Sequence, residues 1–424
     1  MRGVLPLQTG RDGWQSPLTR RASLADELVT RMIVALLGLF TSLFAYRLAF
    51  PLPHQRRFDI WLVLLATHIA ATIAYWLFTF EGGMDAFLYY RDPYGFINNS
   101  PLASGTDFIV HFVQFIKRTL GGSFLDHFLL FQCMGMIGIA FLARTFNEVA
   151  EEFGLTVPLH VYALLFLPGL HFWSVSIGKD APVIMALGLA VWSSVRIERR
   201  YIGMAVAALI LALIRPHVGA ITVIGTLVAV LFTRQVSFRT KLLLFPIAIV
   251  GMSVLSVMTL DRLRISLDLQ SISSFFEYQQ ELGQDFGSGA DIQNLPFPLK
   301  VLTLLFRPFF FDAPGMMGYA ASVENVALLW IIGYILFNWK IVFKLSTHVA
   351  YMAYCVVTST ILILLLSMVN YNVGLGQRQK MMAIPAILVI YGTLYLYKRY
   401  LAAYAAASAL PVIEAEDTPR MSTA

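Results

Sequence analysis

Apolar residues in this chain run in long blocks broken by short polar clusters. The roughly 30 Å hydrocarbon core of a bilayer takes about 20 apolar residues in helical form to cross, because lipid offers the backbone no hydrogen-bond partner. Blocks at 29–50, 60–80, 124–144, 157–175, 181–195, 201–214, 218–232, 242–260, 326–339, 349–368 and 381–397 predict an all-α, polytopic bundle of about eleven transmembrane helices. The shortest blocks extend into their flanks or lie tilted against neighbours. This gives a basic N-terminal tail (1–28), a transmembrane domain (29–400) with long loops at 81–123 and 261–324, and a small, polar tail (401–424) expected to be disordered.

Three pieces of the long loops have a character of their own. Residues 106–118 place Phe108, Ile109, Phe112, Val113, Phe115 and Ile116 before Lys117-Arg118, which predicts an interfacial helix. Residues 298–311 are apolar, too short to span and interrupted by Arg307-Pro308, which predicts a re-entrant or interfacial helix. Residues 277–294, polar and with three glycines, have the character of a lid.

Composition strengthens the membrane reading. Hydrophobic residues make up 58% of the 424 and charged residues 13%, against about 45–50% and about 25% in soluble domains; mean hydropathy is +0.70. The net charge of +6 is scattered between apolar blocks rather than gathered on one polar face, which argues against nucleic acid and for topology and contact with anionic membrane lipids. Cys133 and Cys355 lie inside apolar blocks and act as small hydrophobes. The first block is too long for a signal-peptide core and no cleavage site follows it. The sequence contains no P-loop, dinucleotide glycine motif, HExxH or Cys/His cluster, which points away from ATP hydrolysis, redox chemistry and structural zinc.

The positive-inside rule sorts the loops. Arg56-Arg57, Arg196 with Arg199 and Arg200, Arg234 with Arg239 and Lys241, Lys340 with Lys344, and Lys398-Arg399 fall on one side, expected to be cytoplasmic. Both long loops and the turns at 178–180, 215–217 and 370–380 then fall outside. The tail, with Arg2, Arg11, Arg20 and Arg21, also lands outside on an odd count. Either the first block does not cross fully or one span is miscounted.

Charges at the outer turns are the candidates for chemistry. A charge near bilayer depth costs about 2.5–3.5 kcal/mol on insertion scales, so it normally faces a partner or a water-filled cavity. Arg215-Pro216-His217 joins two apolar blocks with almost no linker, and guanidinium groups bind phosphate oxygens in pairs. Arg307-Pro308 with Glu324-Asn325 repeats that logic, though an Arg307–Glu324 ion pair pinning the loop reads as well. Lys179-Asp180 fits phosphate or sugar binding beside Trp173, or a snorkelling pair at a turn. Arg378, within Gln377-Arg378-Gln379-Lys380, fits a phosphate ligand or a surface charge. His68, His111 and His127 read as packing residues.

Gly82-Gly83-Met84-Asp85-Ala86 followed by Tyr89-Tyr90-Arg91-Asp92 resembles the first-loop acidic motif of GT-C membrane glycosyltransferases. His171-Phe172-Trp173-Ser174 with Gly178-Lys179-Asp180, the Arg-Pro-Phe and Glu-Asn pair, and the Arg-rich turn before the last block resemble polysaccharide polymerases of the Wzy and EpsG type. The resemblance covers the layout of most of the chain but only short motifs in sequence. It implies a multi-pass enzyme of the bacterial inner membrane acting outside the cytoplasm on polyprenyl-(di)phosphate-linked saccharides, with other polysaccharide-assembly proteins as possible partners. It implies that Asp85, then Asp92, or else His217, accepts the acceptor hydroxyl's proton, or that an aspartate helps to hold a divalent metal. Arg215, Arg307, Lys179 and Arg378 would hold the leaving phosphate, with Arg91, Asp180 and Glu324 beside them, while Tyr89, Tyr90 and Trp173 stack on sugar rings. Asp85 equally suits a helix cap. The rival readings are a lipid-linked oligosaccharide flippase and a non-catalytic assembly protein.

Overall fold

The structure, a computed structural model, describes residues 17–408 apart from 81–84, 101–103, 314, 371 and many positions between 234 and 293. All regular structure among the described residues is helical. In chain order the helices are α1 (Pro17–Ala49), α2 (Phe58–Thr79), α3 (Asp85–Arg91), α4 (Thr106–Leu120), α5 (Phe124–Glu152), α6 (Leu159–Ala163), α7 (Pro168–Trp173), α8 (Asp180–Val195), α9 (Ile197–Ile214) and α10 (Pro216–Phe232). After the partly described stretch come α11 (Phe297–Phe306), α12 (Gly315–Phe337), α13 (Trp339–His348), α14 (Ala350–Val369), α15 (Val373–Lys380) and α16 (Ile384–Ser408).

Among the described residues, five helices are long and apolar enough to cross a membrane: Glu27–Ala49 of α1, α2, α5, α12 and α14. The pair α15 and α16, bent by 55° at its break, makes a sixth if counted as one span. The chain is therefore a multi-pass membrane protein, with fewer full-length spans among its described residues than the eleven blocks suggest. The difference lies in the centre of the bundle. Residues 157–175 fold as α6, a 3-10 turn (Leu164–Phe166) and α7, interrupted before Pro168. Blocks 181–195 and 218–232 form α8 and α10, only 16 and 17 residues long. Block 201–214 lies in α9, which opens on Glu198, Arg199 and a kink at Arg200. A helix that is apolar all round is buried by protein as readily as by lipid, and most of α8 is enclosed. Block 242–260 and the lid-like 277–294 lie largely outside the described residues.

Helix α5 is the spine, and its contact with α8 is close enough to require glycine. A Cβ on Gly188 would stand 2.5 Å from the Gly138 carbonyl oxygen, and one on Gly138 would stand 2.7 Å from the Ile184 carbonyl oxygen. Such small-residue contacts replace the hydrophobic drive that lipid removes from helix association. On the rim, Leu36, Phe40 and Leu43 of α1 and Trp330 and Phe337 of α12 present bare apolar surface, suited to acyl chains.

Helix α1 packs the first block along α5. The Thr30 hydroxyl donates to the Leu120 carbonyl at 3.2 Å, just ahead of α5, and the Ala49 carbonyl accepts from Asn147 near the far end of α5 at 2.9 Å. The block thus runs the length of the spine, and the start of α1 lies at the end that also carries the C-terminus of α4. The basic loops gather at the other end. There Gln55 donates to Glu151 at 2.6 Å, Lys398 donates to Asn338 at 3.0 Å, and Arg144, Arg200 and Arg196 lie 2.6, 2.8 and 3.8 Å from Glu148.

The predicted interfacial helix is α4, set between Gly105 and Gly121 at positive φ, with Ile109, Val110 and Val113 buried and Phe115 exposed. The predicted short helix at 298–311 is α11, ending at Arg307, where the peptide to Pro308 is cis. Residues 401–408, expected to belong to a disordered tail, continue α16.

Gly138→Leu should push α5 off α8 and lower stability by about 1–3 kcal/mol, the usual cost of overpacking. Gly333→Leu, on α12 with nothing within 4 Å of its Cβ position, should leave the melting temperature in detergent unchanged.

Candidate functional site

Four breaks in the helices bring charged side chains together at the end away from the basic loops. The first is the start of α3, whose opening residue is Asp85. The second is the turn between α7 and α8, where Gly178 takes φ 146°; a Cβ there would stand 2.7 Å from the Tyr89 ring. Glycine lets the turn close over Tyr89 and delivers Lys179 and Asp180 to the start of α8. The third is the α9–α10 junction, where Pro216 lacks the N–H that would continue the helix and Arg215 leaves helical geometry at φ −142°, ψ 82°. The fourth is α15, opened by Asn372, whose side chain accepts from the Gly374 and Leu375 amides and so sets the turn that carries Arg378.

These breaks produce a continuous chain of charges. Arg215 Nη2 donates to Asp180 Oδ1 at 2.8 Å, and Arg378 Nε donates to Asp180 Oδ2 at 2.5 Å. The Nη1 of Arg378 donates to Asp85 Oδ2 at 2.7 Å. Exposure rises steeply along the chain, from 7% for the Asp180 side chain to 13% and 14% for Arg215 and Arg378, and to 45% for Asp85. The inner carboxylate therefore has both oxygens committed, while the outer one faces outward and binds through one. Arg215 Nε is buried without a hydrogen-bond partner.

Other predicted residues line the same place. Trp173 lies 5.9 Å from the Arg378 guanidinium carbon, ring centre to carbon. Lys179 Nζ donates to Thr106 Oγ1 at 2.9 Å, tying α8 to α4. His217 sits in the first turn of α10, two residues beyond Arg215. Tyr89 is buried, and burial, with the Asp85 charge adding to it, pushes its phenol above the ordinary range, so it stays a neutral hydrogen-bonding group.

A second cluster lies behind the first and shares α15 with it. Glu324 and Lys380, each 1% exposed, stand 3.9 Å apart. Glu324 Oε2 accepts from the Gly169 amide at 2.5 Å, and a Cβ at Gly169 would collide with that carboxylate. Lys380 Nζ donates to Asn325 Oδ1 and to the Leu305 carbonyl, and Asn325 Nδ2 donates to the Pro308 carbonyl. Gln377 Nε2 donates to the Arg307 carbonyl. The Arg307–Glu324 pair suggested by the sequence does not form. Arg307 bonds instead to Asp312 five residues on, at 2.6 Å, because α11 ends at Arg307 and the chain turns back on itself.

Three candidates serve local structure. Asp92 sits at φ 48° and accepts from the Phe96 and Ile97 amides at 2.7 and 2.9 Å, closing a turn. Tyr90 donates to the Gly122 carbonyl at 3.2 Å beneath Lys117, and Arg91 lies over Phe87. The site thus keeps Asp85, Tyr89, Trp173, Lys179, Asp180, Arg215, His217 and Arg378 together and sets Asp92, Tyr90, Arg91, Arg307 and Glu324 around it. Sequence reading passed over Lys380 and Gly169; a lysine that opens the approach to an apolar block was the available signal for the first. Of the packing histidines, His68 bonds to His171 at 3.0 Å and to the Gln132 carbonyl at 2.9 Å.

The donor set does not suit a metal ion. Arg378 stands between the two site carboxylates, and among the described residues no three His, Cys, Asp or Glu side chains are grouped to hold one. The chain matches no protein-family profile, no curated protein and no solved structure.

Asp180→Ala should leave two enclosed guanidinium groups facing each other and cost about 3–5 kcal/mol, as breaking a buried pair does. Arg307→Ala, at a pair with 36% and 19% exposure, should cost about 1 kcal/mol or less. Thermal unfolding in detergent ranks the two, and equal effects would contradict this order.

Proposed function

We propose that this chain is a GT-C-like or Wzy-type membrane enzyme that transfers or polymerises sugars from a polyprenyl-phosphate-linked donor, in cell-surface polysaccharide or glycolipid synthesis. The observation that carries this reading is the convergence of Asp85, Asp180, Arg215 and Arg378 from four separate helix breaks at one end of the bundle. With Lys179 beside them, three cations meet two carboxylates, an excess suited to a phosphate ester. On this reading the bundle crosses a bacterial inner membrane about eleven times, counting the short central helices, with the site on the extracytoplasmic side.

The chemistry asks for two things at once. The acceptor hydroxyl oxygen bonds to the anomeric carbon while the bond from that carbon to the phosphate oxygen breaks. The bonding pair leaves on phosphate, where Arg378 and Arg215 stabilise the growing charge. The hydroxyl proton passes to Asp85, the exposed carboxylate. Asp180, enclosed and doubly bonded, positions both arginines instead. Trp173 supplies flat apolar surface for the sugar, whereas the ring of Tyr89 is buried beneath the Gly178 turn and packs there instead of stacking on a sugar. Glu324 and Lys380 fix α7 against α15 and so hold the two halves of the Asp180–Arg378 bridge in register.

One observation favours a second reading. The 55° break between α15 and α16 has the form of the discontinuous helices that transporters build around substrate sites, which would suit a flippase for lipid-linked oligosaccharides. In a strain dependent on this gene, Asp85→Asn and Arg215→Gln should each lower polymer output by at least about a hundredfold, in the range of general-base and electrostatic contributions. Lipid-linked intermediate should then accumulate on the outer face. Accumulation on the cytoplasmic face would support the flippase, and full-length polymer from both well-expressed variants would remove the enzyme reading.

A further inference from the structure

The outermost charge of the site is an anion resting on a cation. Arg378 is anchored from behind by Asp180 through Nε, and it reaches Asp85 through Nη1. Asp180 has no oxygen to spare, since Arg215 holds the other one. Asp85 uses only Oδ2 towards Arg378, and its side chain is 45% exposed against 7% for Asp180. If an anion approaches from outside, it can therefore replace one of these contacts without disturbing the rest. Asp85 can swing away towards water, while Arg378 keeps its anchor and its orientation.

On the reading of the site given above, we infer that Asp85 is a placeholder for the donor's phosphate. It neutralises Arg378 while the site waits, and a lipid phosphate that takes over Nη1 displaces it. The exchange has a consequence for order. While Asp85 is bonded to Arg378, the oxygen facing the guanidinium is not available to a hydroxyl. Phosphate binding frees that oxygen beside the newly seated donor, so the base gains an unpaired oxygen where there is something to transfer. A hydroxyl or water arriving before the donor meets a carboxylate whose charge is partly neutralised by Arg378.

Removing a placeholder must tighten ligand binding, whereas removing a contributing residue loosens it. The half-exposed pair holds Arg378 with the strength of an exposed salt bridge, which corresponds to a gain of about fivefold in affinity when it is abolished. The probes are farnesyl phosphate and inorganic phosphate, titrated at low salt onto the full-length protein in detergent. Asp85→Asn should bind each about fivefold more tightly than wild type, although it turns over substrate poorly. Asp85→Glu, which keeps the competing charge, should stay near wild-type affinity. Asp85→Asn binding equal to or weaker than wild type, with farnesyl phosphate still bound by the wild type and lost in Arg215→Gln, would overturn the placeholder and leave the phosphate site standing. Absence of saturable binding to wild type and Asp85→Asn alike would overturn both. Farnesyl phosphate binding no better than inorganic phosphate would overturn the lipid as its source.

Discussion

The carboxylate of Asp180, enclosed between two guanidinium groups, is the contact on which the outer half of this bundle depends. An ionised group there has no water to solvate it, so its two oxygens dictate where Arg215 and Arg378 must stand. Those residues belong to the α9–α10 junction and to α15, so one side chain fixes three helix breaks against one another. Such a pair contributes little net stability compared with apolar packing, but half of it cannot be removed cheaply. Its value is geometric: it makes the arrangement of the breaks unique.

The breaks themselves follow from the same constraint. Backbone that leaves helical form at membrane depth exposes N–H and C=O groups that lipid cannot satisfy, so irregular chain survives there only inside protein or beside a polar cavity. Pro168, Gly178, Pro216 and Asn372 each interrupt or restart a helix where α2, α4, α5 or α14 surround the bundle centre. The close α5–α8 crossing through Gly138 and Gly188 holds this centre together. At these interruptions charges from distant parts of the sequence meet, as Asp85, Asp180, Arg215 and Arg378 do.

Much of this was legible in the chain. Block lengths gave the helical membrane class, and Lys/Arg spacing gave the division into two ends, which α1 and the Glu148 group display. Arg215-Pro216 marked a charged break by chemistry alone, and Lys179-Asp180 marked a second. Partners were not legible. Nothing in the sequence tells Asp180 to choose Arg378 across the bundle over its neighbour Lys179, or Arg307 to choose Asp312 over Glu324, because pairing depends on the angle at which each helix leaves its break. Which blocks form full-length spans was not legible for a related reason. Hydropathy cannot separate an apolar stretch enclosed by protein, such as α8, from one whose apolar side chains are left bare, such as Leu36 to Leu43 of α1, since both read as runs of apolar residues. Lys380 was missed because a cation near a membrane surface looks the same in sequence whether it faces water or, as here, a buried glutamate.

The opposite end of the bundle supplies the comparison that separates a site from a structural cluster. Glu148, with no side-chain exposure, also gathers arginines: Arg144 and Arg200 in close contact, Arg196 at 3.8 Å, and the Trp192 indole N–H at 3.1 Å. Both ends therefore contain enclosed carboxylates wrapped in guanidinium groups, and convergence alone does not distinguish them. The order of charge from inside to outside does. At Glu148 the anion is innermost and the most exposed member is a cation, Arg196, at 42%. An arriving anion would add to that cluster without displacing anything, as a topological anchor at a headgroup layer requires. At Asp180 the sequence continues one step further, through Arg378 to a half-exposed carboxylate, so the outermost charge is one that an incoming anion must replace. A cluster that ends in an exchangeable charge of the ligand's own sign is built to be opened, and of the two clusters only the one around Asp180 has that form.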